Sequence, residues 1–204
     1  MLALPLVAVC LGAALAQTPD PLPSWNDGAA KKSITDFVAR VMTAGSPDFV
    51  PVDRRRIATF DNDGTMWTEQ PIYPQVTFAC DHLRKVAAEH PEWTNEEPLK
   101  SWLAMDPPAL VSEKGLLSVA AVAHKDVTID EFAATVFDWL ATARHPRFNR
   151  PYTDLVYQPM LEVLDYLRAD DFKIFIVSGG GIELPWMEKS YGIPPVRVIG
   201  SPEW

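Results

Sequence analysis

Two acidic side chains set two positions apart, Asp61 and Asp63, close the short apolar run Ile57-Ala58-Thr59-Phe60 and lead into Gly64-Thr65. Such a run predicts a buried strand, so both carboxylates fall at its carboxyl end, where α/β sheets bind ligands. Hard oxygen donors in a cleft suit Mg2+ bridging to a phosphate. The spacing therefore points to phosphoryl chemistry. A plain turn is the competing reading, because Asp-Gly is a common turn pair. A calcium loop is excluded: its sixth position, normally Gly, is Met66, and its twelfth, normally Glu, is Ile72.

A second segment repeats the pattern. Lys173-Ile174-Phe175-Ile176-Val177 is again a short β-branched run, and it ends on Ser178-Gly179-Gly180-Gly181 before a helix expected to begin near Glu183. A hydroxyl followed by backbone N–H groups of small residues makes an anion nest, and glycine lets a phosphate approach the main chain. A serine-hydrolase elbow is a poor fit, since Ser178 follows Ile176-Val177 rather than Gly-x. A P-loop needs Lys-Ser or Lys-Thr after its glycines, and none follows Gly181.

Together these segments, Phe60-Asp61-Asn62-Asp63-Gly64-Thr65 and Ile176-Val177-Ser178-Gly179-Gly180-Gly181, resemble motifs one and two of the haloacid dehalogenase superfamily of phosphohydrolases. The phrases Trp67-Thr68-Glu69-Gln70-Pro71, Ala143-Arg144-His145-Pro146-Arg147-Phe148, Pro151-Tyr152, Tyr157-Gln158-Pro159-Met160 and Tyr191-Gly192-Ile193-Pro194 resemble a secreted or periplasmic bacterial branch of it, over roughly residues 25 to 204. The resemblance implies that Asp61 is the nucleophile, forming an aspartyl-phosphate, and that its other oxygen holds Mg2+. It implies that Asp63 is the general acid and base, with its carbonyl also on the metal. An acid at that position favours a phosphatase over a dehalogenase. Ser178, the Gly179 and Gly180 backbone and the amides around Asn62 are implied to grip the phosphate oxygens.

The family also carries a third-motif Lys and a fourth-motif acid on later strands. Val196-Arg197-Val198-Ile199-Gly200 is expected to be the third core strand, and Lys189, on the helix before it, comes too early for that Lys. The chain accordingly reads as C-terminally truncated, with activity absent or impaired in this form. The alternative is a secreted protein that binds a phosphate ester or carbohydrate without turnover. Seven Trp residues would suit sugar stacking, but Trp102 and Trp139 fall in apolar helical patterns.

Positioning these residues calls for an α/β fold: a doubly wound, three-layer parallel sheet, incomplete at its C-terminal side, with strands near 57–61, 173–177 and 196–199. The stretch between Asp63 and Ser178 is far longer than a crossover needs, which predicts a helical cap over residues 69–154. Val76, Ala79, Leu83, Val86 and Ala87 recur at helical spacing, as do Ile129, Phe132, Val136 and Leu140, and Gly115 to Ala123 is also expected to be helical. The core then takes residues 31–68 and 155–204. In the core, Ile34, Phe37, Val38, Val41 and Met42 predict a bracing helix with Gly45 as its cap. A cap placed there would exclude water and select the organic part of a small-molecule phosphomonoester. Trp67, Glu69, Lys114, Arg144 and His145 are its candidate substrate contacts. His82, His90 and His124 show no metal-ligand spacing.

The remaining features bound the function. A length of 204 residues with 48% hydrophobic content suits one core with an insertion, and a net charge of −9 argues against a nucleic-acid surface. Arg54-Arg55-Arg56 is expected to be a solvated loop. Leu2 to Leu15 is almost wholly apolar and ends Ala14-Leu15-Ala16, which predicts a signal peptide over residues 1–16, export, and no membrane attachment after cleavage. Residues 17–30 read as an extended leader. Cleavage would remove Cys10 and leave Cys80 alone, a core residue rather than a nucleophile. Neither the particular ester nor the oligomeric state can be read from the sequence.

Overall fold

The computed structural model describes residues 19–52, 56–110, 112–123, 127–179 and 184–200. The signal-peptide segment 1–16 lies outside the described residues. No helix among the described residues is long and apolar enough to cross a membrane.

Three strands, β1 (Ile57–Phe60), β2 (Lys173–Val177) and β3 (Val198–Ile199), form a parallel sheet with β2 in the middle. Ile57 pairs with Lys173 and Phe60 with Ile176, while Ile176 and Val177 pair with Val198 and Ile199. Strand three is shorter than its sequence suggests because Pro195–Arg197 takes a 3-10 turn, where proline has no N–H to give a ladder. Period-two alternation turns Ile174, Ile176 and Val198 into the core. They meet helix α1 (Ala29–Met42) through Val38 and Val41, and α7 (Gln158–Ala169) through Leu164 and Leu167. Helix α8 (Leu184–Tyr191) adds Trp186, Met187 and Tyr191 to the same cluster.

The opposite face carries Ile57, Val177 and Ile199, which are 55%, 44% and 54% exposed. Parallel sheets are ordinarily covered on both faces. The α/β class with a parallel sheet is thus borne out, while among the described residues these side chains leave the second face largely open. Two further expectations are corrected. Arg56 is buried, not solvated: its guanidinium donates to the carbonyls of Val50 and Asp170 and clamps the entry to β1 against the end of α7. Arg54 and Arg55 lie outside the described residues. Helix α1 is capped at Thr43, whose N–H reaches the Ala39 carbonyl, while Gly45 turns the chain two residues later at φ 88°.

Between β1 and α7 every regular element is helical: α2 (Pro74–Ala87), α3 (Leu99–Leu103), α4 (Pro107–Leu110), α5 (Glu113–Ala123) and α6 (Ile129–Thr142). Thr128 and Glu131 form a reciprocal capping box that fixes the start of α6. Cys80, Leu83, Leu99, Trp102, Leu110 and Val119 bury one another in a second apolar cluster, separate from the sheet's own. Phe78 on α2 packs edge-on against Phe132 and Trp139 of α6, and the Trp139 Nε1 donates to Asp81. Leu140, near the end of α6, reaches the sheet's cluster, so the helical segment is tied to the core where α6 ends.

Candidate active site

Strand β1 delivers Asp61 to the surface and turns at once. The Asn62 N–H donates to Asp61 Oδ1 at 2.8 Å, and the Asn62 carbonyl accepts from the N–H groups of Thr65 and Met66 at 3.1 and 2.8 Å. Gly64 sits at φ 71°, the left-handed region open to glycine at little cost. A Cβ there would also overlap the Glu69 carboxylate folded over it. The turn runs into Met66, Trp67 and Thr68, all buried. This exit strand is pinned to the segment before α7: Thr68 donates to the Leu155 carbonyl, Tyr157 donates to that of Met66, and Trp67 bridges Val156.

The two acids occupy different surroundings. Asp61 is exposed, whereas Asp63 is half-buried and its Oδ1 accepts from the Trp67 indole N–H at 2.7 Å. Burial pushes the Asp63 carboxyl above the usual carboxylate range; the Trp67 hydrogen bond pulls part of the way back, and the Asp61 charge pushes up again. The pair is thus one exposed carboxyl and one half-buried carboxyl held by an indole N–H.

At the adjacent strand end, Ser178 is buried and its N–H donates to the Ile199 carbonyl at 2.9 Å. Gly179 is exposed, with open space where a side chain would stand. Since Phe60 pairs with Ile176, Asp61-Asn62-Asp63 and Ser178-Gly179 leave neighbouring strands at the same end of the sheet. Gly180 and Gly181 lie outside the described residues. Helix α8, which follows, returns to the acid turn: the Tyr191 hydroxyl donates to Asn62 Oδ1 at 3.1 Å, in a fully buried position. Trp186 stacks on Trp67 with ring centroids 4.5 Å apart.

The residues proposed to face a substrate separate into two groups. Trp67 and Glu69 lie against the acid turn, although Trp67 is 1% exposed and its ring belongs to the core. Lys114 is exposed on α5, and Arg144 is exposed at an isolated bridge with Pro151. His145 is buried with both ring nitrogens occupied: Nδ1 accepts from the Arg147 N–H, so Nε2 carries the proton and donates to the Gln70 carbonyl at 2.5 Å. That makes it a brace between its loop and the acid turn's exit. Burial pushes the Cys80 thiol up to about 11, so it stays a protonated core residue. Among the described residues no cluster of three or more His, Cys, Asp or Glu could hold a metal ion.

Sequence alone assigns neither Tyr191 nor Trp186 a place at the acid turn: Tyr191 shows only in the phrase Tyr191-Gly192-Ile193-Pro194, and both fall in the helix expected after the glycine run. Comparison with protein-family models and with curated proteins returns no match for the chain.

Proposed function

We propose that this protein hydrolyses phosphomonoesters through an aspartyl-phosphate on Asp61, in the manner of the haloacid dehalogenase superfamily. The observation that carries the reading is the acid pair itself: an exposed Asp61 two positions before a half-buried Asp63 held by the Trp67 indole, at the sheet end where Ser178 and Gly179 also emerge. The parallel strands and a helical insertion with its own apolar cluster support the same reading. The apolar Leu2–Leu15 run supports an exported protein.

An Asp61 carboxylate oxygen attacks phosphorus and the ester P–O bond breaks. The leaving alkoxide takes the proton held by Asp63. Asp63, now ionised, removes a proton from water as that water attacks the acyl phosphate, which releases inorganic phosphate and restores both side chains. The Trp67 N–H holds one Asp63 oxygen, leaving the other for this proton traffic. Ser178 and the Gly179 N–H would meet the phosphoryl oxygens. Asp61 and the side chain and carbonyl of Asp63 are hard oxygen donors of the kind Mg2+ takes alongside waters and phosphate oxygens, so the residues fit that ion. Bound there, Mg2+ would offset charge on the phosphoryl group.

The test is release of inorganic phosphate from p-nitrophenyl phosphate and a panel of sugar, nucleotide and amino-acid phosphates, with and without Mg2+. Asp61→Asn is expected to abolish turnover with the fold intact. Full activity in that variant would sink the mechanism, and saturable ester binding by the wild type without turnover would favour the binding-protein alternative.

A further inference from the structure

Asn62 stands between the two acids and has little freedom. Its N–H is held by Asp61 and its carbonyl by Thr65 and Met66. It is 1% exposed, and among the described residues the hydroxyl of Tyr191 is its side chain's one hydrogen-bond partner, since the amide nitrogen Nδ2 is buried without an acceptor. A buried amide is costly once unpaired, so this single bond decides where the Asn62 side chain rests. Turning the amide over would put Nδ2 on the Tyr191 oxygen and strip Oδ1 of its donor, so either orientation depends on the same tyrosine.

Tyr191 is itself immobilised. It is 1% exposed, its carbonyl accepts from the Arg168 guanidinium of α7, and its ring meets Trp186 edge-on at 5.2 Å. Trp186 in turn lies on Trp67, the residue that holds Asp63. Helix α8 therefore reaches the acid turn twice, by a hydrogen bond to Asn62 and by an aromatic stack behind Asp63. The same helix is the next described element after Ser178 and Gly179.

We infer that Tyr191 is a positioning residue: its hydroxyl, by holding Asn62, sets the aim of the Asp61 and Asp63 carboxylates. The inference rests on the phosphohydrolase reading for its kinetic consequence but not for its structural one. Displacements of about 1 Å at a reacting group cost rate on the order of a hundredfold while leaving binding largely intact. Tyr191→Phe keeps the ring and removes only the hydroxyl.

The experiment measures steady-state phosphate release for wild type, Asp61→Asn and Tyr191→Phe, together with the positions of the Asp61 and Asp63 carboxylates in crystal structures of the wild type and Tyr191→Phe. With active wild type and inert Asp61→Asn, Tyr191→Phe is expected to lose about tenfold or more in kcat with KM changed less than about twofold, and the two carboxylates are expected to shift. A kcat within about twofold of wild type overturns the inference while the phosphohydrolase reading stands. If wild type and Asp61→Asn are equally inert, the reaction has failed, and the crystal structures alone decide: displaced Asp61 and Asp63 carboxylates in Tyr191→Phe uphold the role of Tyr191 in setting the turn, and superimposable ones overturn it. Should Tyr191→Phe not fold, Asn62→Leu, which replaces the amide at similar volume and leaves Tyr191 in place, carries the same expected split between kcat and KM and the same criterion.

Discussion

Trp67→Phe isolates the hydrogen bond on which Asp63 depends. The indole N–H meets Asp63 Oδ1 at 2.7 Å inside a side chain that is 1% exposed. A hydrogen bond to a charged acceptor contributes about 1.5–3 kcal/mol, and trimming indole to phenyl forfeits roughly 1 kcal/mol of apolar burial at about 25 cal/mol per Å2. The substitution is therefore expected to cost about 2.5–4 kcal/mol, a fall in Tm of about 5–15 °C for a domain of this size. In an Asp63→Asn background the acceptor is neutral, its hydrogen bond contributes only about 1 kcal/mol, and the cost of Trp67→Phe falls to about 2 kcal/mol. Urea unfolding of the four proteins at pH 7 gives the coupling as a double-mutant cycle. Equal costs in the two backgrounds would show that the indole N–H does not sense the charge on Asp63, and the assignment of this bond as the one that holds Asp63 would fall with it. The same bond lowers the Asp63 titration against burial, so its loss is also expected to leave Asp63 protonated to higher pH.

Other consequences follow from the same turn. Asp63 has a folded-state pKa raised by burial, so its contribution to stability is full below the ordinary carboxylate value and is lost as pH rises through the folded value. Asp63→Asn is thus expected to melt higher than wild type at pH 7, with the gap closing in acid; an unchanged gap from pH 7 down to about pH 3, below the reference value, would contradict the assignment. Gly64→Ala places a Cβ at φ 71° against the Glu69 carboxylate and is expected to cost about 1–3 kcal/mol of stability, measured by denaturant melts. In a Glu69→Ala background the steric share of that cost disappears and only the backbone share remains, so an undiminished cost would show that Glu69 is not the obstacle.

The strands and the acid turn were legible because their cause is local. Ile57 to Phe60 and Lys173 to Val177 are β-branched runs that end in polar or glycine residues, and both strands formed within a residue of where the pattern put them. The third strand was overestimated because Pro195 forces a 3-10 turn on residues that look strand-like. Arg56 was misread because a basic run gives no hint of which member finds two buried carbonyls. Trp67 stood out as an aromatic beside the motif, yet whether its ring met substrate or core depended on Trp186, more than a hundred residues away. His145 followed the same rule: only the meeting of its loop with Gln70 shows that its ring nitrogens are already occupied. Side chains whose role rests on long-range contacts are where a single sequence runs out.

Several departures from local satisfaction lie at the acid turn. Asn62 Nδ2 and Trp186 Nε1 are buried without hydrogen-bond partners among the described residues, and Asp63 is buried enough to raise its titration. Each costs stability, because an unpaired buried donor forfeits its hydration and a half-buried carboxylate forfeits part of its own. Arg56 on two carbonyls and Trp139 on Asp81 show comparable groups given partners. A core under selection for stability alone would fill positions 62 and 63 with apolar side chains, and Tyr191 would then have no reason for its hydroxyl. Local rules broken together in one place mark a site whose geometry serves something other than folding. Here the broken rules surround two carboxylates and the helix that holds them.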